Sequence, residues 1–425
     1  MTRLTLPRRT FLAGSAAAAG LLAAPRVVRA ESRVIRIGYI TALSGPRAEF
    51  GASDPWMLEQ VNALLAKGLD IGGQQYQVEI LIRDNESNVN RSASVGNELI
   101  QREDVDLLLV QDLDASVATG EMSDIAGIPS ICTMGPWQAW MFGRGSNPEQ
   151  GFPYSFTFFW GADDAMATFT RIWDQVATNK VVGDFYLDNP AGQAFASPER
   201  GLPAAMARAG YSHIDGGMFQ IDTSDFSAQV SKFKEGGAQI VTGFGFPPRW
   251  STFWAQAGKA GFTPEAATFA ASFLFPSAIE ALGDRGDGMS TEVWWTPKAP
   301  FASSLTGQTA AELAAAWEAG SGKQWVQTVG YSHALFETGI AALKASGAPK
   351  DCDLVRDAIA GLKIDTMVGP VNWAETPIKN VARTEVAGGQ WRKATGKHPF
   401  ELVVTESTLA PSMVAEAQTV ALSKL

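Results

Sequence analysis

The chain has 425 residues, with 44 acidic and 34 basic side chains and a formal net charge of -10. Its first thirty residues hold five arginines and no acid, so residues 31–425 keep 29 basic against 44 acidic groups and carry -15. A surface this acidic repels phosphate backbones and anionic headgroups, which excludes nucleic acid and membrane surfaces as expected partners, and the length exceeds what one core usually supports.

The chain opens with Arg8, Arg9, Thr10, Phe11 and Leu12, then a small apolar stretch from Ala13 to Ala24, then Val28, Arg29 and Ala30. A charged start, a short apolar run and a small-residue cleavage site make a secretory signal peptide. The paired arginines resemble a twin-arginine export signal. The run falls well short of the ~20 apolar residues a membrane span needs. The expectation is export to the periplasm, cleavage near Ala30, and a mature monomer without direct membrane insertion.

Val34–Ile40 reads as a strand, and a helical pattern from 55 to 66 follows. Tyr76–Ile82 is a second strand, 91–102 a helix, Val105–Val110 a third strand, 115–125 a helix and Pro129–Thr133 a fourth strand. The alternation restarts with strands at Lys180–Leu187, Tyr211–Phe219, Ala238–Gly243 and Ala267–Ala271, separated by helices at 197–209, Phe226–Lys234 and Trp250–Ala260. Helices near 309–319, 331–345 and 351–361 precede a tail of mixed strand and loop from about 380. Strands alternating with helices imply an α/β fold, here two doubly wound parallel-sheet lobes. In such sheets ligands bind beyond the carboxyl ends of the strands. Two such ends facing one another make a cleft.

Catalytic signatures are missing. His213, His333 and His398 stand far apart without Cys, Asp or Glu at ligand spacing, and there is no nucleophile elbow, zincin motif, dinucleotide fingerprint or phosphate loop. Gly283–Gly288 holds two acids among glycines but lacks the ligand count of a calcium loop and reads as a surface turn. No metal, cofactor or enzymatic activity is expected. Cys132 and Cys352 leave both a disulfide and two free thiols open. The thirteen tryptophans say more. Trp137, Trp140, Trp160, Phe244 and Phe246 cluster near strand ends, as an apolar-lined pocket would place them.

Several segments resemble the leucine/isoleucine/valine-binding family, the exported substrate-binding proteins of ABC importers. Ile35–Pro46 with Phe50 and Gly51 is similar to that family's opening strand and first ligand loop. Ile80–Ser87 is similar to its second strand and acidic turn, and Asp225–Val230 with Gly237–Val241 to its second-lobe signature. Gln256–Gly261 and Ile364–Trp373 follow in the family's order. The resemblance implies lobe one over 31–157 and 276–372, lobe two over 158–275 and 373–425, and a three-segment hinge. It implies a receptor that holds a small solute between the lobes and delivers it to ABC permease membrane subunits. The candidate ligand residues it points to are Ser44, Phe50, Asp114, Ala115, Ser116, Thr133, Trp137, Trp160, Asp188, Asn189, Phe244, Phe246 and Ser272. A ligand sensor of the same fold feeding a signalling partner and an exported enzyme are the alternative readings; the missing motifs argue against the enzyme.

One departure bears on the ligand. Amino-acid-binding members of the family place an acid for the ligand ammonium after the strand that ends here near Ala271. Phe269–Phe275 contains no acid. A buried ammonium without a carboxylate is costly, on the order of several kcal/mol. The expectation is therefore a small aromatic or apolar carboxylate or amide, and not a free α-amino acid.

Overall fold

The computed structural model describes residues 33–425; the expected signal peptide and its cleavage site lie outside them. β1 (Val34–Thr41) is buried along almost its whole length, the signature of a central strand covered on both faces. β2 (Leu69–Ile71) folds back on β3 (Gln74–Asp84) as an antiparallel edge, through Gly72 and Gly73 at φ of 60° and 76°. β4 (Leu107–Val110), β5 (Ser130–Cys132) and β6 (Ser155–Phe158) run parallel beside β1. A second sheet begins with β7 (Val181–Leu187), flanked in parallel by β8 (Ser212–Phe219) and β9 (Ile240–Phe244). It continues through β10 (Ala266–Ala270) and β11 (Ser290–Val293). β12 (Lys363–Thr366) and β13 (Gly369–Asn372) form a separate hairpin. β14 (Val381–Ala382) then returns to the first sheet beside β6, while β15 (Ala387–Lys393) and β16 (Phe400–Glu406) close the second antiparallel to β11.

The result is two seven-stranded sheets, ordered β14-β6-β5-β4-β1-β3-β2 and β16-β15-β11-β10-β9-β7-β8. The chain passes between them after β6, after β11 and after β14. This is the expected pair of α/β lobes with three connecting segments. The positions of two crossings differ from the sequence expectation. β11 belongs to the second sheet, so the second crossing follows Val293 and not residue 275. β14 belongs to the first, so the third follows Ala382 and not residue 372. Both strands are short, four and two residues, and β11 is built of Ser, Thr, Glu and Val. Neither shows the apolar alternation that marks a strand in sequence.

Other differences are local. The helix expected over 197–209 is shorter, Leu202–Arg208, and a separate helix, Pro190–Ala196, precedes it; Pro198, which lacks a backbone donor, stands between the two. Ala162–Asp174, unread from sequence, is a helix with Asp163 and Asp164 in its first turn, where acids favour a helix N-terminus. Both thiols are free: Cys132 is buried in β5 and Cys352 is partly exposed, and burial pushes each up to about 11. No helix among the described residues is long and apolar enough to cross a membrane.

Each lobe holds its strands with aromatic packing. In the second, the Phe185 ring on β7 sits 4.6 Å from Phe253, 4.9 Å from Phe269 and 5.6 Å from Phe226. At the end of β9, Gly243 adopts a φ of 155°, and a Cβ there would collide with the carbonyl of Phe185. Only glycine lets β9 lie this close to β7 and still turn Phe244 toward the first lobe.

Candidate functional site

The carboxyl ends of the parallel strands meet around a cavity of about 50 Å³. From the first lobe, the loop after β1 supplies Arg47 and Phe50. The β4 end supplies Gln111, Asp112, Leu113 and Asp114, the β5 end Met134 and Pro136, and the β6 end Phe159 and Trp160. From the second, Asn189 and Ala191 follow β7, Phe244 and Phe246 close β9, Ala271 follows β10, and Glu292 and Trp294 end β11. Four adjacent parallel strands of each sheet, β6, β5, β4 and β1 in the first and β11, β10, β9 and β7 in the second, contribute at their carboxyl ends, the topological position where α/β sheets bind ligands.

The first lobe presents a buried charge cluster. Asp112 is the N-cap of the helix Leu113–Ala126, accepting a hydrogen bond from the Ala115 amide at 2.9 Å. Its other oxygen lies 3.0 Å from Arg47 Nε, an ion pair by distance without hydrogen-bond alignment. Arg47 Nη1 donates to Asp114. Burial works against the Arg47 charge, but Asp112 and Asp114 outweigh it and raise the guanidinium pKa. Burial also raises the Asp114 carboxyl above its usual range, with Arg47 pulling it part of the way back. Arg47 Nη2 is buried and has no hydrogen-bond partner among the described residues. Gln111 ties this cluster to the loop beside it, donating to the Phe50 carbonyl at 2.5 Å.

The second lobe presents Glu292, which is 1% exposed. Its Oε1 accepts from the Ala271 amide at 3.0 Å and its Oε2 from the Thr291 hydroxyl at 2.9 Å. Ala271 stands at a φ of 65°, a left-handed conformation rare for a residue with a Cβ. Burial pushes the Glu292 carboxyl up to about 7, and no cation pairs with it among the described residues. Trp294 follows directly on β11 and lines the same cavity as Glu292. Its ring meets Phe159 edge-on at 4.9 Å and Trp160 at 5.9 Å. The indole Nε1 atoms of Trp160 and Trp294 are buried without partners. Phe50 bridges the lobes, with Phe275 at 4.9 Å and Phe246 at 6.1 Å. The lining is thus an aromatic shell in which four buried nitrogens make no hydrogen bond, Arg47 Nε, which is ion-paired with Asp112, and Arg47 Nη2, Trp160 Nε1 and Trp294 Nε1, which have no partner among the described residues. No group of three or more His, Cys, Asp or Glu side chains among the described residues is placed to hold a metal.

Of the residues singled out from sequence, Phe50, Asp114, Trp160, Asn189, Phe244 and Phe246 line this cavity. The others do not. Ser44 donates to Asp84 at 2.7 Å on the surface. Ala115 and Ser116 are turned into their helix, where Ser116 bonds the Leu113 carbonyl. Thr133 bonds the Phe158 carbonyl at 2.8 Å and Ser272 the Gly245 carbonyl at 2.9 Å, so both hydroxyls are spent on backbone. Asp188 is exposed and holds Gln193 and Gln220. Trp137 lines a neighbouring groove of about 650 Å³ with Phe142, Pro190 and Arg200. Sequence reading missed Arg47, Gln111, Asp112, Met134, Ala271, Glu292 and Trp294. The Glu292–Val293–Trp294 alternation was the available signal for the last pair.

Glu292 also bears on the ligand expected from the acid-free segment Phe269–Phe275. Phe269–Phe275 lacks one, but the neighbouring strand delivers its carboxyl to the amide of Ala271, within that segment. The absence of an acid from the loop itself therefore does not exclude an amino group on the ligand.

The periplasmic binding protein family matches residues 34–397. Among solved structures, a leucine binding protein LivK from Thermotoga maritima is similar with a TM-score of 0.68 and 17% identity, over 87% of this chain and 98% of that one. A solute binding protein of an ABC transporter from Rhodopseudomonas palustris, in complex with 3,4-dihydroxy benzoic acid, gives 0.70 and 16% over 88% and 97%. The branched-chain amino acid transporter substrate binding protein LivJ from Streptococcus pneumoniae, in complex with isoleucine, gives 0.67 and 17% over 87% and 99%.

Proposed function

Because the chain belongs to the periplasmic binding protein family, we propose that it is an exported receptor that captures a small organic carboxylate or amide with an aromatic or apolar body and delivers it to an ABC permease. The observation that carries this reading is the trio of buried N–H donors, Arg47 Nη2, Trp160 Nε1 and Trp294 Nε1, set in an aromatic lining. A buried donor without an acceptor costs about 1–3 kcal/mol. A carboxylate or amide oxygen removes that cost, and Phe50, Phe159, Phe244 and Phe246 cover the apolar remainder. Structural relatives in complex with 3,4-dihydroxy benzoic acid and with isoleucine lend the reading its size range. Export to the periplasm rests on the N-terminal sequence and on the family.

Lobe one supplies Arg47 and Trp160, and the second sheet supplies Trp294, so an acceptor between them draws donors from both sides. Ligand binding and lobe closure are then thermodynamically coupled. Calorimetric titration with benzoate, substituted benzoates, short branched-chain acids and their amides tests this. At least one is expected to bind with a micromolar or lower dissociation constant. Trp294→Phe keeps the ring and loses the N–H, and is expected to weaken that ligand about tenfold, the worth of one hydrogen bond. No binding across the panel, or full affinity in Trp294→Phe, contradicts the reading.

A further inference from the structure

The donors above account for one part of the lining and leave Glu292 unexplained. This carboxyl is buried at the cavity wall and makes no ion pair among the described residues. Burying such a group costs stability that its hydrogen bonds return only in part. Its two protein hydrogen bonds, from the Ala271 amide and the Thr291 hydroxyl, occupy one site on each oxygen. A carboxylate has about four acceptor sites, so capacity remains. The scaffold around it is also specific. Ala271 is held at a φ of 65°, and this conformation accompanies an amide that meets Glu292. Gln327 fixes the same short strand from behind, donating to the Glu292 carbonyl at 3.2 Å and accepting from the Trp294 amide at 2.5 Å. The carboxyl and the Trp294 indole are thereby set on one rigid segment, an acceptor and a donor on the same wall.

We propose that Glu292 is the specificity-determining residue of the cleft, accepting a hydrogen bond from a donor group on the body of the ligand and so selecting acids that carry a hydroxyl or an amine over the bare acid. This rests on the receptor reading above and adds the second recognition element to it. A bare ring or alkyl chain against Glu292 covers the remaining acceptor sites with carbon and leaves them unpaired. A hydroxyl or ammonium fills them. Sites built to bond a polar group reject the analogue that lacks it more strongly than apolar pockets separate analogues by size.

The test uses matched pairs: benzoate against 4-hydroxybenzoate for the hydroxyl, and 4-methylpentanoate against leucine for the amine. Each is titrated into the wild-type protein and into Glu292→Gln, which retains an oxygen for the Ala271 amide. In the wild type the donor-bearing member of at least one pair is expected to bind ten times or more tighter. In Glu292→Gln that ratio is expected to fall toward one. The pair that responds names the donor: loss confined to leucine marks an ammonium, and loss confined to 4-hydroxybenzoate a hydroxyl. A wild-type ratio near one for every pair that binds, or an unchanged ratio in a folded Glu292→Gln, overturns the assignment. Binding by no member of either pair while another acid or amide of the wider panel binds overturns the assignment; binding by nothing in that panel overturns the receptor reading beneath it. Thermal unfolding of the variant shows whether it is folded.

Discussion

At the residue scale, Glu292 and Asp54 are buried acids that make no ion pair among the described residues. Asp54 accepts from Ser332 at 2.6 Å and from Thr41 at 2.5 Å, and burial raises it to about 6 despite those bonds. Glu292 rises from 4.5 to about 7. A raised acid favours folding fully below its unfolded pKa and loses that advantage as pH climbs to the folded value. For Glu292 the loss falls between about pH 4.5 and 7, with an upper bound of about 3 kcal/mol at 1.36 kcal/mol per unit. Replacing it with Gln removes the ionisation, while Asp54 contributes equally to both proteins and cancels. Urea unfolding of Glu292→Gln and wild type is therefore expected to give a stability difference that shifts in favour of the variant by about 2–3 kcal/mol between pH 5 and pH 8. A difference independent of pH means that Glu292 is not buried in its neutral form.

At the element scale, one residue does two jobs at the start of the helix Leu113–Ala126. Asp112 caps it through the Ala115 amide and flanks Arg47 in the cavity wall. Asn caps a helix about as well as Asp, whereas Ala does not. Asp112→Asn loses only the charge opposite Arg47; Asp112→Ala loses charge and cap. The Ala variant is expected to unfold about 1 kcal/mol more easily than the Asn variant, and equal denaturation midpoints would show that the cap carries no weight there. The same element explains what the sequence disclosed and what it hid. The apolar runs of β1, β4 and β9 were legible because central parallel strands are buried on both faces and leave no polar alternation. β11 was not, since Ser290, Thr291 and Glu292 are polar residues made buried by their neighbours, Thr291 bonding Glu292 and Gln327 holding the backbone. The site followed suit. Phe244 and Phe246 were found because aromatics at strand ends need a cavity, and Phe50 because its segment resembles the family's first ligand loop. Ser116, Thr133 and Ser272 were misplaced because a hydroxyl in sequence does not say whether backbone will claim it, and here backbone claimed all three. Arg47 escaped notice because its role comes from Asp112 and Asp114, some 65 residues away, and no local pattern records that pairing.

At the scale of the whole molecule, the two lobes meet tightly. The cavity between them is about 50 Å³, whereas a cavity that takes up benzene is nearer ~150 Å³. A ring with a carboxylate cannot enter without separation of the walls. Those walls belong to different sheets, joined by the three crossings after β6, β11 and β14, and the contacts across them include the packing of Trp294 on Phe159 and Trp160. Phe50 packs on Phe246 and Phe275, Glu49 accepts from Ser277 at 2.5 Å, and Arg200 lies 4.8 Å over the Phe142 ring. Rotation about the crossings parts these contacts while each sheet stays intact, a hinge motion of the kind that closes two-domain receptors. If the closed arrangement dominates in solution, capture has to wait for opening, and the rate of that step sets a ceiling on association. Trp160 and Trp294 in the wall report it directly. Stopped-flow tryptophan fluorescence is expected to show an observed rate that levels off as ligand concentration rises. Phe50→Ala, which loosens the closed form, is expected to lift the plateau. A rate that stays linear to the highest concentration, far above the dissociation constant, would place the open form as the dominant one and closure after binding.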